Sequence, residues 1–238
     1  MRKVQKHYDE VAEIYDRRYD REQGRQYYDH ISRQVLGCLD GGAFILDIGC
    51  GTGLFMERYL ARGGSAIGID ISRGMIRRAR DRCPMSEFVV GDGQALPFAG
   101  GTFDAVASLL AFSYVREPAR MLSEVYRVLK PGGRLALCTL GRNMLTSMVP
   151  ALYRIGELIE VKGIGVGDFG EHYYTEDEMV VLLEGTGFSE VTVKRCSFAH
   201  VAMAKPFFEI ARRVEPFVEE RVPRLAYNIC ASAIKPRP

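Results

Sequence analysis

The chain has no tryptophan, only four histidines in 238 residues, and no Cys-x-x-Cys pair among its six cysteines. Scattered single cysteines supply no local frame for zinc, so no metal is expected. No apolar run approaches the roughly 20 residues that a membrane span needs. The start, Met1-Arg2-Lys3-Val4-Gln5-Lys6-His7-Tyr8-Asp9, has no apolar core of the kind a signal peptide carries. No Gly-x-x-x-x-Gly-Lys-Ser/Thr stretch occurs, which excludes a phosphate-gripping loop. Charge of neither sign dominates: the net value of +2 is too small to argue for a polyanionic partner. These absences point to a reduced, cytoplasmic protein with no transmembrane segment. What remains is ordinary globular composition, 47% hydrophobic and 26% charged, in a length that suits one large domain.

From residue 43 onward, short apolar runs alternate with segments of helical spacing. Strands are predicted at 43–48, 65–69, 86–90, 103–109, 133–140, 189–198 and 226–234, and helices at 53–62, 72–82, 118–129 and 176–186. Such alternation implies βαβ units and an α/β fold, a mostly parallel sheet with helices on both faces. The helix ends have local causes. Ser72 can cap 73–82 and Pro84 forbids its continuation. Pro118 suits the first turn of the next helix, which stops at Lys130-Pro131-Gly132-Gly133. Thr175 followed by Glu178 is a capping box, and Gly185-Thr186-Gly187 ends that helix.

Three regions lie outside the alternation. Residues 1–40 are polar and aromatic, with Tyr8, Tyr15, Tyr19, Tyr27 and Tyr28. Residues 141–174 carry Gly163, Gly165, Gly167 and Gly170. In 199–224 apolar residues from Phe207 to Val218 recur at helical spacing, and Pro216 predicts a break or kink. Arg73, Arg77, Arg78, Arg80 and Arg82 read as a solvated helix face; without interleaved aromatics they make a poor nucleic-acid patch, and no nucleic-acid partner is expected. Cys138 and Cys230 fall within apolar runs and read as small buried hydrophobes.

The most informative stretch is Ala43-Phe44-Ile45-Leu46-Asp47-Ile48-Gly49-Cys50-Gly51-Thr52-Gly53, followed by a second apolar run that ends in Asp70. A dinucleotide loop would read Gly-x-Gly-x-x-Gly, but the third position counted from Gly49 is Leu54. A carboxylate at Asp47 would also sit awkwardly beside a pyrophosphate. It suits a ligand with an ammonium group and no phosphate, while Asp70 at the tip of the next strand can take a ribose diol.

Four blocks in order, Ile45–Gly53, Gly68–Ser72, Gly91–Phe98 running on to Asp104, and Val128–Gly133, resemble the class I S-adenosylmethionine-dependent methyltransferases, most closely the small-molecule branch that includes the ubiquinone/menaquinone-biosynthesis type. The resemblance runs from about residue 43 to 140. It implies a Rossmann-like seven-stranded sheet, mostly parallel with an antiparallel last strand, plus helical cap inserts. Residues 1–238 then form one domain, with an N-terminal helical cap at 1–40, a cofactor-binding core at 41–140, and acceptor-side inserts at 141–174 and 199–224. By the same resemblance Gly49, Cys50, Gly51 and Gly53 form the loop at the methionine part of the cofactor, and Asp47 helps to fix its amino group. Asp70 accepts from the ribose hydroxyls, Ile71 lies against adenine, Asp92 accepts from the adenine amino group, Gly93 and Gln94 border the ring, and the Leu109 backbone meets the methionine end. Tyr8 and Tyr15 either close over the sulfonium or simply pack the N-terminal helix onto the core.

The reaction this implies is an in-line transfer of methyl from S-adenosyl-L-methionine to an N, O or C nucleophile of a small molecule, leaving S-adenosyl-L-homocysteine. Positioning does most of the work, and a general base is needed only where the acceptor proton must leave early. His172, before the helix cap at Thr175, is one candidate base; otherwise it is a loop or capping residue. Related quinone-type enzymes often carry a histidine pair where this chain has Ser113 and Tyr114, which makes Tyr114 the other candidate. Alternatives are a membrane-associated lipid or quinone-type substrate reached through an interfacial helix at 207–218, and a non-catalytic cofactor-binding regulatory protein. The blander reading of 207–218 is a cap helix over the acceptor pocket, and a monomer or homodimer is expected. A thiol-dependent metalloid methyltransferase would need several cysteines to converge, and their scatter over core strands argues otherwise.

Overall fold

The structure, a computed structural model, describes residues 2–143 and 171–238. Gly163, Gly165, Gly167 and Gly170 of the second insert therefore lie outside the described residues. Seven strands form one sheet: β1 (Phe44–Ile48), β2 (Ser65–Asp70), β3 (Glu87–Val90), β4 (Phe103–Leu109), β5 (Leu129–Leu140), β6 (Ser189–Cys196) and β7 (Asn228–Ile234). Their order is β3-β2-β1-β4-β5-β7-β6. Strands β1 to β5 pair in parallel, and β7 runs antiparallel to both β5 and β6. The expected doubly wound sheet with an antiparallel last strand is the one observed. The strand order reverses between β1 and β4, and a crevice at the carboxyl ends of strands belongs at such a switch point.

Each face of the sheet is covered. On one face α3 (Glu22–Leu36), α4 (Leu54–Leu60) and α5 (Arg73–Arg82) pack through Tyr28, Ile31, Val35, Phe55, Met56, Ile76 and Ala79. They meet small strand residues, Ala105, Ala107, Ala136, Cys138 and Cys230, which let bulky tyrosines approach the sheet closely. On the other face α6 (Pro118–Val128) and α7 (Glu176–Thr186) bury Met121, Leu122, Val125, Met179 and Leu183 against Leu46, Val106, Leu135 and Leu137. Alternation along β1, with Ile45 on one side and Leu46 on the other, divides the two cores.

The local signals behave as their chemistry requires. Ser72 Oγ accepts from the Met75 amide at 3.1 Å, and the Thr175–Glu178 capping box is present in full. The expected strand at 133–140 begins earlier, at Leu129. Leu129 pairs with Phe103, and the register shift between Phe103 and Ala105 absorbs the Lys-Pro-Gly-Gly turn into the strand. The predicted break at Pro216 does not occur. The helix α8 (Lys205–Arg221) runs through it, and Glu215, one residue earlier, is buried and anchored. Glu215 accepts from the Ala199 amide and pairs with Arg212, while Glu219 accepts from the Ser197 amide and from His30 on α3. Three tertiary attachments beside the proline, and one pair within the helix, offset the single helical hydrogen bond its ring removes. Burial would raise the Glu219 carboxyl, but the His30 and Ser197 hydrogen bonds outweigh it and hold the group below its ordinary range.

Of the arginines of α5, Arg73, Arg77 and Arg80 are exposed, as the solvated-face reading expects, while Arg78 and Arg82 are partly buried. Arg77 and Arg78 pair with Glu13, and Arg82 reaches Asp16 Oδ2 at 2.5 Å and the Thr52 carbonyl at 2.9 Å. Asp9, on α1 (Arg2–Val11), accepts from Ser72 Oγ at 2.7 Å and the Gly74 amide at 3.0 Å. The basic cluster thus receives the acidic residues of the N-terminal cap, a pairing invisible along the chain because more than 60 residues separate the partners. Asp16→Ala removes the acceptor of both Thr52 Oγ1 and Arg82. It should lower the unfolding free energy by about 1.5–3 kcal/mol, as for hydrogen bonds to charged groups. Chemical denaturation checks this; an unchanged midpoint would mean that solvent replaces the contact.

Candidate active site

The crevice at the β1–β4 switch point opens into a cavity of about 900 Å³ with its mouth included. Four strand ends build it: Ile48 and Gly49 after β1, Ile69 to Ile71 at β2, Gly91 to Gln94 after β3, and Leu109 to Ala111 after β4. The cap adds Val4, Tyr8 and Tyr15, and Tyr114, Val115 and Arg116 close another side.

The glycines of the loop do different things. Gly49 has φ +72°, and a Cβ there would fall 2.2 Å from the Ala111 Cβ, so it permits close packing of β1 against the β4 turn. Gly51 has φ +54°, and a Cβ there would stand in open space on the cavity side, where a ligand needs the room. Gly53 does not line the cavity; it caps α4 and faces Ala79 of α5. Cys50 is likewise buried, its sulfur turned toward Gly68.

Two carboxylates organise the floor. Asp70 accepts from the Gly51 amide through Oδ2 and from the Ser72 amide through Oδ1, both at 2.9 Å. It ties the loop to the next helix and keeps a lone pair on each oxygen toward the cavity. Burial raises its pKa, with the two amides acting in the opposite direction. Asp47 lies beneath the loop, outside the cavity lining and 1% exposed. Its Oδ2 has no hydrogen-bond partner among the described residues. Burial first, then the charge of Asp70, pushes its pKa up to about 8. An unpaired buried acceptor beside a second carboxylate is a site that favours a cation. On the β3 side, Asp92 accepts from the Gln94 amide and from Gln94 Nε2, and Gln94 Oε1 accepts from the Glu117 amide. Asp92, Gly93 and Gln94 all line the cavity, as do Ile71 and Leu109.

The two candidate bases separate. Tyr114 lines the cavity, its ring 5.8 Å from that of Tyr8. Burial, then the charge of Glu171, raises its pKa, so the phenol stays neutral near pH 7. His172 does not line this cavity. Its amide donates to the Ser113 carbonyl at 2.8 Å, but its ring stacks on Tyr174 in a second depression with Arg142 and Glu178. His172 and Tyr114 thus stand in different depressions among the described residues. Ser113 is structural, its hydroxyl 2.6 Å from Thr139 Oγ1 and accepting from the Leu140 amide. Sequence reasoning missed Leu110, whose φ of +63° at the cavity wall is strained for a leucine. It also missed Glu171 beside Tyr114; the neighbouring histidine was the stronger signal. No residue of 199–224 lines the cavity, because the inner face of α8 is used against α3 and the 197–199 turn.

The cavity thus combines open space at Gly51 with a carboxylate at Asp70, above the buried carboxyl of Asp47. The family described as a methyltransferase domain matches residues 46–137. A demethylmenaquinone methyltransferase of Tropheryma whipplei is 32% identical over 218 residues, 84% of this chain and 89% of that protein. A biotin biosynthesis bifunctional protein of Cellvibrio japonicus is 34% identical over 155 residues; the match covers 65% of this chain but only 29% of that longer protein. A phosphoethanolamine N-methyltransferase of Haemonchus contortus, solved with S-adenosylhomocysteine, superposes with a TM-score of 0.68 at 17% identity, over 96% of this chain and 58% of that one, and shows the shared fold. The chain belongs to the class I S-adenosylmethionine-dependent methyltransferases, in the small-molecule branch. S-adenosylmethionine is its cofactor. No helix among the described residues is long and apolar enough to cross a membrane.

Gly51→Val should abolish cofactor binding, since the new side chain enters the cavity, and should lower stability, since valine is strained at a φ of +54°. Calorimetry with circular dichroism checks both; retained affinity would place the cofactor elsewhere. The raised pKa of Asp47 sets a pH dependence. Between about 4 and 8 the folded chain holds a proton that the unfolded chain has released, so this group lowers stability progressively as pH rises through that window. Asp47→Asn should therefore raise the unfolding temperature of the cofactor-free protein more at pH 8 than at pH 5. A pH-independent shift would show that Asp47 is already ionised.

Proposed function

We propose that this methyltransferase acts on a small, partly apolar acceptor held against Tyr8, Tyr15 and Tyr114. The observation that carries this reading is the shared cavity: three tyrosines and Leu110 stand in one enclosure with Gly51, Asp70 and Asp92. S-adenosylmethionine, when bound, supplies a methyl group already activated on a sulfonium sulfur. Asp70 accepts from the ribose hydroxyls, and Ile71, Gly93 and Gln94 border the adenine, whose amino group donates to Asp92. Gly49, Gly51 and the Leu109 backbone take the methionine end, with Asp47 drawing its ammonium from below. Tyr8 and Tyr15, clamped in place by Asp9 and Asp16, exclude water and offer ring faces to the positive sulfur, an attraction of roughly 0.5–2 kcal/mol. Holding acceptor and methyl in line can supply roughly 7–11 kcal/mol. Tyr114, neutral and hydrogen-bonded to Tyr8, orients the acceptor rather than removing its proton.

The Tropheryma whipplei relative is by name a demethylmenaquinone methyltransferase, so a demethylmenaquinone analogue is the first acceptor to test. Transfer of labelled methyl from the cofactor to that analogue, and its weakening in Tyr114→Phe with cofactor affinity kept, would support the reading. No transfer to it or to any fraction of a metabolite extract would favour a non-catalytic, cofactor-binding role.

A second observation favours a membrane-associated acceptor. On α8 the side turned away from the core exposes Phe207 (68%), Ile210 (61%), Val214 (40%) and Phe217 (63%), spaced as one helical stripe. Such a face can lie in a lipid interface. Co-sedimentation with anionic liposomes, lost in Phe207→Glu/Phe217→Glu, is the expected result; absence of binding by the unaltered protein sinks it.

A further inference from the structure

Cys138, Cys196 and Cys230 are 92 residues apart at the extremes of the chain segment that holds them, yet they converge. The sheet brings this about. Cys138 on β5 stands directly opposite Cys230 on β7, and Cys196 on β6 pairs with Asn228, two residues from Cys230. With a side-chain period of two, all three project from one face. Their sulfurs lie within 4.8 Å of one another, with Cys196 and Cys230 at 3.1 Å. They are 0%, 1% and 5% exposed, respectively. The expectation that scattered cysteines stay apart is therefore overturned: positions distant in sequence share a face because β7 is inserted between β5 and β6.

We propose that Cys138, Cys196 and Cys230 form a three-sulfur binding site for a trivalent thiophilic ion of the arsenic(III) type. Three sulfurs each ~2.3 Å from a common centre lie ~4 Å apart when coplanar with it, and closer when pyramidal; Cys196 and Cys230 stand on the pyramidal side at 3.1 Å, with Cys138 within 4.8 Å of both. No histidine, carboxylate or further cysteine joins the group among the described residues. Zinc, which takes four ligands in structural sites, would lack one. Charge decides among the softer ions. The surroundings are mainly apolar, with Tyr27, Ala136, Ala199 and Phe208 in the same core cluster, and the two charges that reach the group, Lys194 and Glu219, are of opposite sign. Three thiolates around a monovalent ion leave two negative charges in that core, and around a divalent ion one. Around a trivalent ion they leave none, and only that complex avoids burying net charge.

The thiols start protonated, since burial raises both Cys138 and Cys230. With arsenous acid, three sulfur–arsenic bonds form as three arsenic–oxygen bonds break. Each thiol proton leaves with a hydroxide as water, and no electron is transferred. The three cysteines do not line the cofactor cavity, so binding is independent of the acceptor proposed above.

The test uses the full chain, reduced and without cofactor, with arsenous acid as the probe. Native mass spectrometry should show one arsenic per chain with three protons lost. X-ray absorption of the unaltered protein should show three sulfur neighbours and no oxygen. Cys138→Ala, Cys196→Ala and Cys230→Ala should each weaken binding by more than the roughly 10–100-fold that losing a supporting residue costs a metal site, whereas Cys38→Ala leaves it unchanged. No uptake, a two-sulfur shell with oxygen, uptake insensitive to all three substitutions, or uptake of zinc in preference to arsenic would each overturn the proposal. The absorption measurement decides the matter even where a variant fails to fold.

Discussion

Two buried carboxylates at the ends of adjacent parallel strands set the terms for everything around them. Burial, and the charge of Asp70 beside it, hold the proton on Asp47 up to about pH 8. The fold relieves Asp70 with two backbone amides, one from the glycine loop and one from the start of α5. Those two hydrogen bonds shape the loop and fix the mouth of the cavity. Asp47 receives no such relief at its Oδ2.

The N-terminal cap extends the same logic outward. Asp9, Glu13 and Asp16 are carried on a short polar segment that could not fold alone, and each finds its partner on α5 or the loop before α4. The helix beside the end of β2 thus also anchors the segment that carries Tyr8 and Tyr15 to the cavity. The N-terminus of α5 is capped jointly by Ser72 and Asp9.

At the far edge of the sheet the constraint is different. Inserting β7 antiparallel between β5 and β6 forces small residues onto the face where α3 and α8 settle, and three of these are cysteines. Glu215 and Glu219 of α8 hold that helix to α3 and to the turn after β6. Its outward stripe is thereby left to face solvent. The acceptor cavity and this edge are built from different strands and can be used separately.

Strand and helix positions, both helix caps and the cofactor loop were legible in the sequence because each rests on contacts within a few residues: alternating hydrophobicity, a side chain meeting an amide three positions on, a glycine where the backbone must turn left-handed. The cofactor class was legible for the same reason, Asp47 and Gly49 to Gly53 being one continuous turn and Asp70 the end of the next strand. What could not be read were pairings across long stretches of chain. Whether the α5 arginines faced water or the cap, whether His172 or Tyr114 reached the cavity, and whether Pro216 broke its helix were settled by contacts between residues tens of positions apart. The convergence of three cysteines belongs to the same class. Local sequence specifies backbone conformation and burial period, but the direction of a side chain's partner depends on strand order, and that is decided only when the whole sheet has closed.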